Sequence, residues 1–242
     1  MLHNNASMPG DIIMIEDESG SMTVMGNEPV ESINDFIKEQ KAKNIPDTRI
    51  SLWKFSNKST LLLDDVLLDG VAEITDYHPG GMTALNDTVA EAINLKLTKE
   101  DHEGVICVIV SDGDENASTE WNSSDLNVLI EKVKKEHGWK FVYMGANQDA
   151  KEAGGKIGIT NCCNFNQAIP GALRALSRSV SESVSQVRDG TQDDIMLGKC
   201  KTEPMPTPTS MPSPPLRPQR PQRAMAEPHS LNVTPPPPIL RQ

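Results

Sequence analysis

The 242-residue chain has few aromatic residues, 4% in all. Trp53, Trp121 and Trp139 are too scattered to form a surface on which bases could stack. No apolar run approaches the ~18 residues that a membrane span needs. Only four cysteines occur, with no C-x-x-C pair and no Cys/His spacing of the zinc-finger kind. Motifs for two large enzyme classes are missing as well. There is no G-x-S-x-G elbow for a hydrolase and no G-x-x-x-x-G-K-[ST] loop for a nucleotide enzyme. The opening "MLHNNASMPGD" lacks the charged-then-apolar order of a secretory leader. These absences predict a soluble, reduced, cytoplasmic protein; a virus-infected cell or a virion is a further setting.

Charge and proline are unevenly distributed. Thirteen of the 18 prolines lie between Pro204 and Pro238. Net charge is −11; residues 191–242 carry six basic and four acidic groups, leaving −13 on residues 1–190. An acidic domain repels phosphates, so nucleic acid is excluded as a partner, whereas divalent cations are not. Acidity also serves solubility alone. The expected organisation is a flexible N-terminus over 1–8, a globular domain over 9–190 and a disordered Pro/Arg-rich tail over 191–242.

Within the domain, apolar runs alternate with helical patterns. "DIIMIE" (11–16) predicts a strand and 28–44 a helix, with Val30, Ile33, Phe36 and Ile37 at helical spacing. Residues 48–56 alternate, and 59–68 predicts their antiparallel partner. A Pro-Gly-Gly loop leads into a helix carrying Leu85, Val89, Ile93 and Leu97. "GVICVIVSD" (104–112) predicts a central strand covered on both faces. A serine-capped helix over 123–138, a strand in "WKFVYMGAN" and a turn with a short helix over 145–159 follow. The last helix is built on Leu173, Leu176, Val180, Val184 and Val187. This order predicts an α/β fold: a doubly wound, mainly parallel sheet with helices on both faces and one antiparallel hairpin.

Ligands bind such sheets outside the carboxyl ends of the strands. "EDESGSM" (16–22) lies at the end of the first strand, "VSDGDEN" (110–116) at the end of the central one, and "PGGMTALND" (79–87) at a helix entry. In a doubly wound sheet they converge, bringing together Asp17, Ser19, Ser21, Thr83 and Asp112. All five are hard oxygen donors, suited to Mg²⁺ first and to Mn²⁺ or Ca²⁺ as alternatives. Alternate side chains of an extended segment point the same way, so Asp17, Ser19 and Ser21 can face one ion while Glu18 points away. Two carboxylates and three neutral hydroxyls leave the ion able to accept a carboxylate from a partner. Taken alone, D-x-S-x-S also fits a polar turn that binds nothing.

These residues resemble the metal-ion-dependent adhesion site of the von Willebrand factor type A domain. "DESGSM" matches its D-x-S-x-S as Asp17, Ser19 and Ser21, "GGMTAL" its threonine as Thr83, and "VSDGDEN" its last aspartate as Asp112. "INDFIKEQK", "DYHPGGMTALNDTVAEAI" and "FVYMGANQDAKEAGGKIGI" look like small stand-alone members found in bacteria, phages and large DNA viruses. The resemblance covers about residues 9–188. It implies a Rossmann-like fold with the metal at its top, and a non-enzymatic binding module whose protein partner presents Asp or Glu to the metal. In the family the Ser and Thr hydroxyls contact the metal, and the Asp carboxylates act directly or through water.

Other readings compete. Asp112, Asp114 and Asn116 begin a calcium-loop pattern that fails at Ala117 and Ser123. A strand-end aspartate can be an aspartyl-phosphate nucleophile, but the acid usually found two residues on is Ser19 here. A metal-independent assembly protein is the main alternative, and a metal-dependent hydrolase or phosphotransferase a further one. In the tail, Pro215, Pro218 and Arg220 form P-x-x-P-x-R, repeated in overlap through Pro221 and Arg223. That pattern resembles a ligand of Src-homology-3 domains.

Overall fold

The computed structural model describes residues 10–113, 115–146 and 150–197. The tail prolines and arginines named above, and the N-terminal segment 1–8, lie outside these. Six strands form one sheet: β1 (Ile12–Asp17), β2 (Arg49–Phe55), β3 (Ser59–Leu67), β4 (Ile106–Ser111), β5 (Lys140–Ala146) and β6 (Cys162–Phe165). Their order is β3-β2-β1-β4-β5-β6, and all neighbours are parallel except β2 and β3. Chain order reverses between β1 and β4, which makes the gap above them the switch point of a doubly wound sheet.

Period-2 alternation divides β1 between two cores. Ile12 and Met14 pack with Ile33, Phe36 and Ile37 of α1 (Glu28–Ala42) and with Leu173, Val180 and Val184 of α5 (Ala172–Arg188). Ile13 and Ile15 pack with Val89 and Ile93 of α2 (Leu85–Leu97) and with Leu126, Ile130 and Val133 of α3 (Ser123–His137). A short α4 (Ala150–Lys156) leads into β6. Every residue of β4 is buried, as a central strand covered on both faces requires.

The structure departs from these expectations at five points. β2 does not alternate: Ile50 through Phe55 are all buried, because helices cover both of its faces. Lys54 is tolerated there because Glu18 and Asp76 neutralise it. The cap of α3 is Asn122, whose side chain accepts from the Asp125 amide at 2.9 Å, and not a serine. β6 is a strand that the hydrophobic pattern does not announce, since only Cys163 and Phe165 of its four residues are buried. Packing also runs past the expected boundary at 190: Ile195 is 3% exposed in the α1–α5 core, and the Met196 amide donates to Ser183 Oγ. The all-thiol expectation changes too, because Cys163 is disulfide-bonded while Cys107 is a buried thiol. No helix among the described residues is long and apolar enough to cross a membrane.

Candidate functional site

β1 ends at Asp17, in register with Phe55 of β2, and Glu16 just before it is in register with Val110 of β4. Asp17 is fully buried. Its Oδ1 accepts from the Ser19 amide and its Oδ2 from Ser111 Oγ, each at 2.7 Å. Ser19 is extended and starts a 3₁₀ turn over Gly20–Met25, but its hydroxyl does not cap that turn. Instead Ser19 Oγ lies 3.0 Å from Ser21 Oγ, and Ser21 Oγ donates to Asp112 Oδ1 at 2.5 Å. Four of the five expected residues are therefore one hydrogen-bonded chain.

Thr83 is brought in by its loop. The Gly80 amide donates to Glu18 O at 2.8 Å and the Gly20 amide to Gly81 O at 3.1 Å, zipping the two loops together. Gly81 needs its missing side chain: its φ is +85°, and a Cβ would sit 2.8 Å from Asn57 Oδ1. The Thr83 amide donates to Asn116 Oδ1, and Thr83 O accepts from the amides of Asn116 and Ala117. A Cβ on Gly113 would lie 3.2 Å from Thr83 Oγ1 and 3.6 Å from Ser21 Oγ. Both hydroxyls thus face the backbone beside Asp112, and the five residues meet above β1 and β4.

The donor set fits a hard cation on two observations. First, it contains carboxylate and hydroxyl oxygens alone, the ligands that Mg²⁺ and Ca²⁺ take. Second, Asp112 Oδ2 is buried without a hydrogen-bond partner, an arrangement that costs free energy unless something fills it. Burial pushes the carboxyls of Asp17 and Asp112 above their ordinary range, against the hydrogen bonds that favour their ionised forms. A bound cation would offset that desolvation.

The neighbouring acids separate by partner. Glu18 turns away to Lys54 Nζ, at 2.9 Å, and to the His78 amide. Glu16 is 1% exposed on the Ile12 and Met14 face, and its Oε1 has no partner. Burial first, and the charge of Asp17 second, hold its carboxyl well above the usual range. Tyr77 OH donates to Asp17 O at 2.7 Å, and burial among these carboxylates raises its hydroxyl.

Several supporting residues were not foreseen. Ser111, one residue before Asp112, anchors Asp17; its place in "VSD" was the available signal. Glu115 accepts from the amides of Asn86, Ala117 and Ser118 and so ties the loop after β4 to the start of α2. Asp87 does the same for the amides of Thr119 and Trp121. Asn116 is occupied by Thr83, which agrees with the failure of the calcium-loop pattern.

No family model and no curated protein sequence matches the chain. Solved structures do. A von Willebrand factor type A protein from Catenulispora acidiphila superposes with a TM-score of 0.54 at 15% identity, over 74% of this chain and 43% of that one. The pilus adhesin SpaC from Lactobacillus rhamnosus GG gives 0.57 at 11% identity, over 75% and 30%. The vWF domain of the type V pili tip protein Mfa5 from Porphyromonas gingivalis gives 0.52 at 13%, over 79% and 98%. The chain thus spans under half the length of the first two and nearly all of the third. Its fold is that of the von Willebrand factor type A domain.

Proposed function

We propose that the top of the sheet binds one divalent cation, Mg²⁺ first, and that a protein partner completes its coordination with an Asp or Glu carboxylate. The observation that carries this reading is the orphaned Asp112 Oδ2 beside three clustered hydroxyls. Both Asp17 oxygens already accept hydrogen bonds, so Asp17 would chiefly supply charge and orientation. Ser19, Ser21, Thr83 and Asp112 would present the free lone pairs. A cation held by two carboxylates and neutral hydroxyls keeps net positive character, which attracts an acidic side chain. The adhesin and pilus-tip proteins of the same fold accord with a binding role. We assign binding and no turnover, since Ser19 stands where an aspartyl-phosphate enzyme would carry its second acid.

A second reading has its own support. The Ser19–Ser21–Asp112 hydrogen bonds close the cluster without any ion, as a metal-independent assembly protein would need. A pull-down with the full chain, identified by mass spectrometry, separates the two. Under the first reading, EDTA and Asp112→Ala each remove the same partners. Partners retained under both treatments establish the second.

A further inference from the structure

We propose that His102, Glu103 and His137 form a second metal site, of transition-metal type, at the opposite end of the sheet from Asp112. His102 and Glu103 lie in the connection between α2 and β4, before β4 begins at Ile106. His137 is the last residue of α3, before β5 begins at Lys140. Asp112 follows the far end of β4, so β4's length, roughly 20 Å at strand rise, separates the two sites.

One ligand atom from each of the three residues lies within 4.8 Å of the others. Glu103 Oε1 is 2.8 Å from His137 Nδ1 and 3.9 Å from His102 Nε2. Ligands bonded at about 2.0–2.1 Å in a tetrahedron stand roughly 3.4 Å apart, so these spacings bracket the requirement. Small side-chain rotations close the difference, and the three side chains are exposed enough to make them.

The orientation of His102 strengthens the case. Its Nδ1 lies 2.8 Å from Lys99 O. A carbonyl only accepts, so Nδ1 is the donor nitrogen, which leaves Nε2, on the Glu103 side, as the nitrogen placed to ligate a metal. An imidazole held by a backbone carbonyl through one nitrogen is the usual arrangement of a metal-binding histidine. A simple ion pair explains His137 and Glu103. It does not explain a second imidazole, edge-on at 4.9 Å between centroids, turned toward the same carboxylate.

The frame around the cluster is fixed. Trp139 Nε1 donates to His102 O at 2.7 Å, and the Gly104 amide to His137 O at 2.8 Å. The carboxyl end of α3 favours positive charge at His137. Two imidazoles and one carboxylate suit Zn²⁺, Cu²⁺ or Ni²⁺ over Mg²⁺. Three protein ligands leave a fourth position for water or an exchangeable donor. Zn²⁺ there would clamp the α2–β4 connection to the end of α3.

The test is Co²⁺ and Zn²⁺ titration of the metal-stripped full chain. Visible absorption of Co²⁺ reports nitrogen and oxygen ligation, and calorimetry gives the Zn²⁺ affinity. Wild type and Asp112→Ala should both show the Co²⁺ bands and one Zn²⁺ equivalent dependent on the cluster. His102→Ala and His137→Ala should lose the bands and weaken Zn²⁺ about tenfold or more, while circular dichroism confirms that they fold. His102→Cys, which restores a ligand, should recover binding. Bands that persist in both histidine variants, or no bands in wild type, would overturn the assignment.

Discussion

Asp17 shows how much one carboxylate depends on neighbours distant in sequence. Ser111 Oγ holds its Oδ2 from 94 positions away. Ser111→Ala leaves that buried oxygen without its donor and should cost about 1–3 kcal/mol in urea denaturation. Lys54 is similar: it lies 9% exposed at its side chain and neutralises Glu18. Lys54→Met strands a buried carboxylate and should cost about 3–5 kcal/mol, more than a surface pair would. The spacing D-x-S-x-S, the threonine after Gly-Gly and the aspartate after a strand were legible because each motif is local. Ser111, Asn116 and Glu115 were not, because a serine or acid in a loop looks the same whether or not another loop meets it. Glu16 is buried with its Oε1 unpartnered, which nothing in the local sequence announces.

Among the elements, α5 carries the largest polar debt. Ser177, Ser181, Ser183 and Ser185 are buried along it, and Gln40 Nε2 on α1 reaches Ser181 and Ser185. Its first turn has no acid of its own, so Glu28 of α1 accepts from the amides of Gly171 and Leu173. Glu28→Ala should therefore destabilise the domain by about 0.5–2 kcal/mol, as loss of a helix cap does. At the other end, Thr191 donates its amide and hydroxyl to Asp189, which lowers that carboxyl below its ordinary range. A lowered acid gives stability above its unfolded pKa that is lost as pH falls through the folded one. Acid titration of stability should be slightly flatter in Asp189→Asn below about pH 4. The long periodic helices and β4 were legible from sequence to within a few residues. β6 was not, since four residues with only Cys163 and Phe165 turned inward are too short to set a period, and the α5 cap was not, since its donor and acceptor are 145 positions apart.

At the scale of the molecule, the order of strands does what no single motif can. β1 and β4 leave the sheet's centre in opposite directions of winding, and their carboxyl ends are the place where separate loops must meet. Alternation of strand and helix was enough to foresee that convergence. Sequence could not show the second convergence, at the base of the sheet, because His102 and His137 are 35 positions apart on elements with unrelated patterns.

The central claim is that the cluster above β1 and β4 takes a divalent cation. The most direct measurement is thermal unfolding of the full chain with EDTA and with saturating Mg²⁺, for wild type and Asp17→Ala. A ligand at 100 times its Kd adds about 2.7 kcal/mol to the native state. For a domain of this size that amounts to roughly 5–10 °C in Tm. The account predicts such a rise in wild type and none in Asp17→Ala. A wild-type Tm indifferent to Mg²⁺, or an equal rise in both proteins, would contradict it.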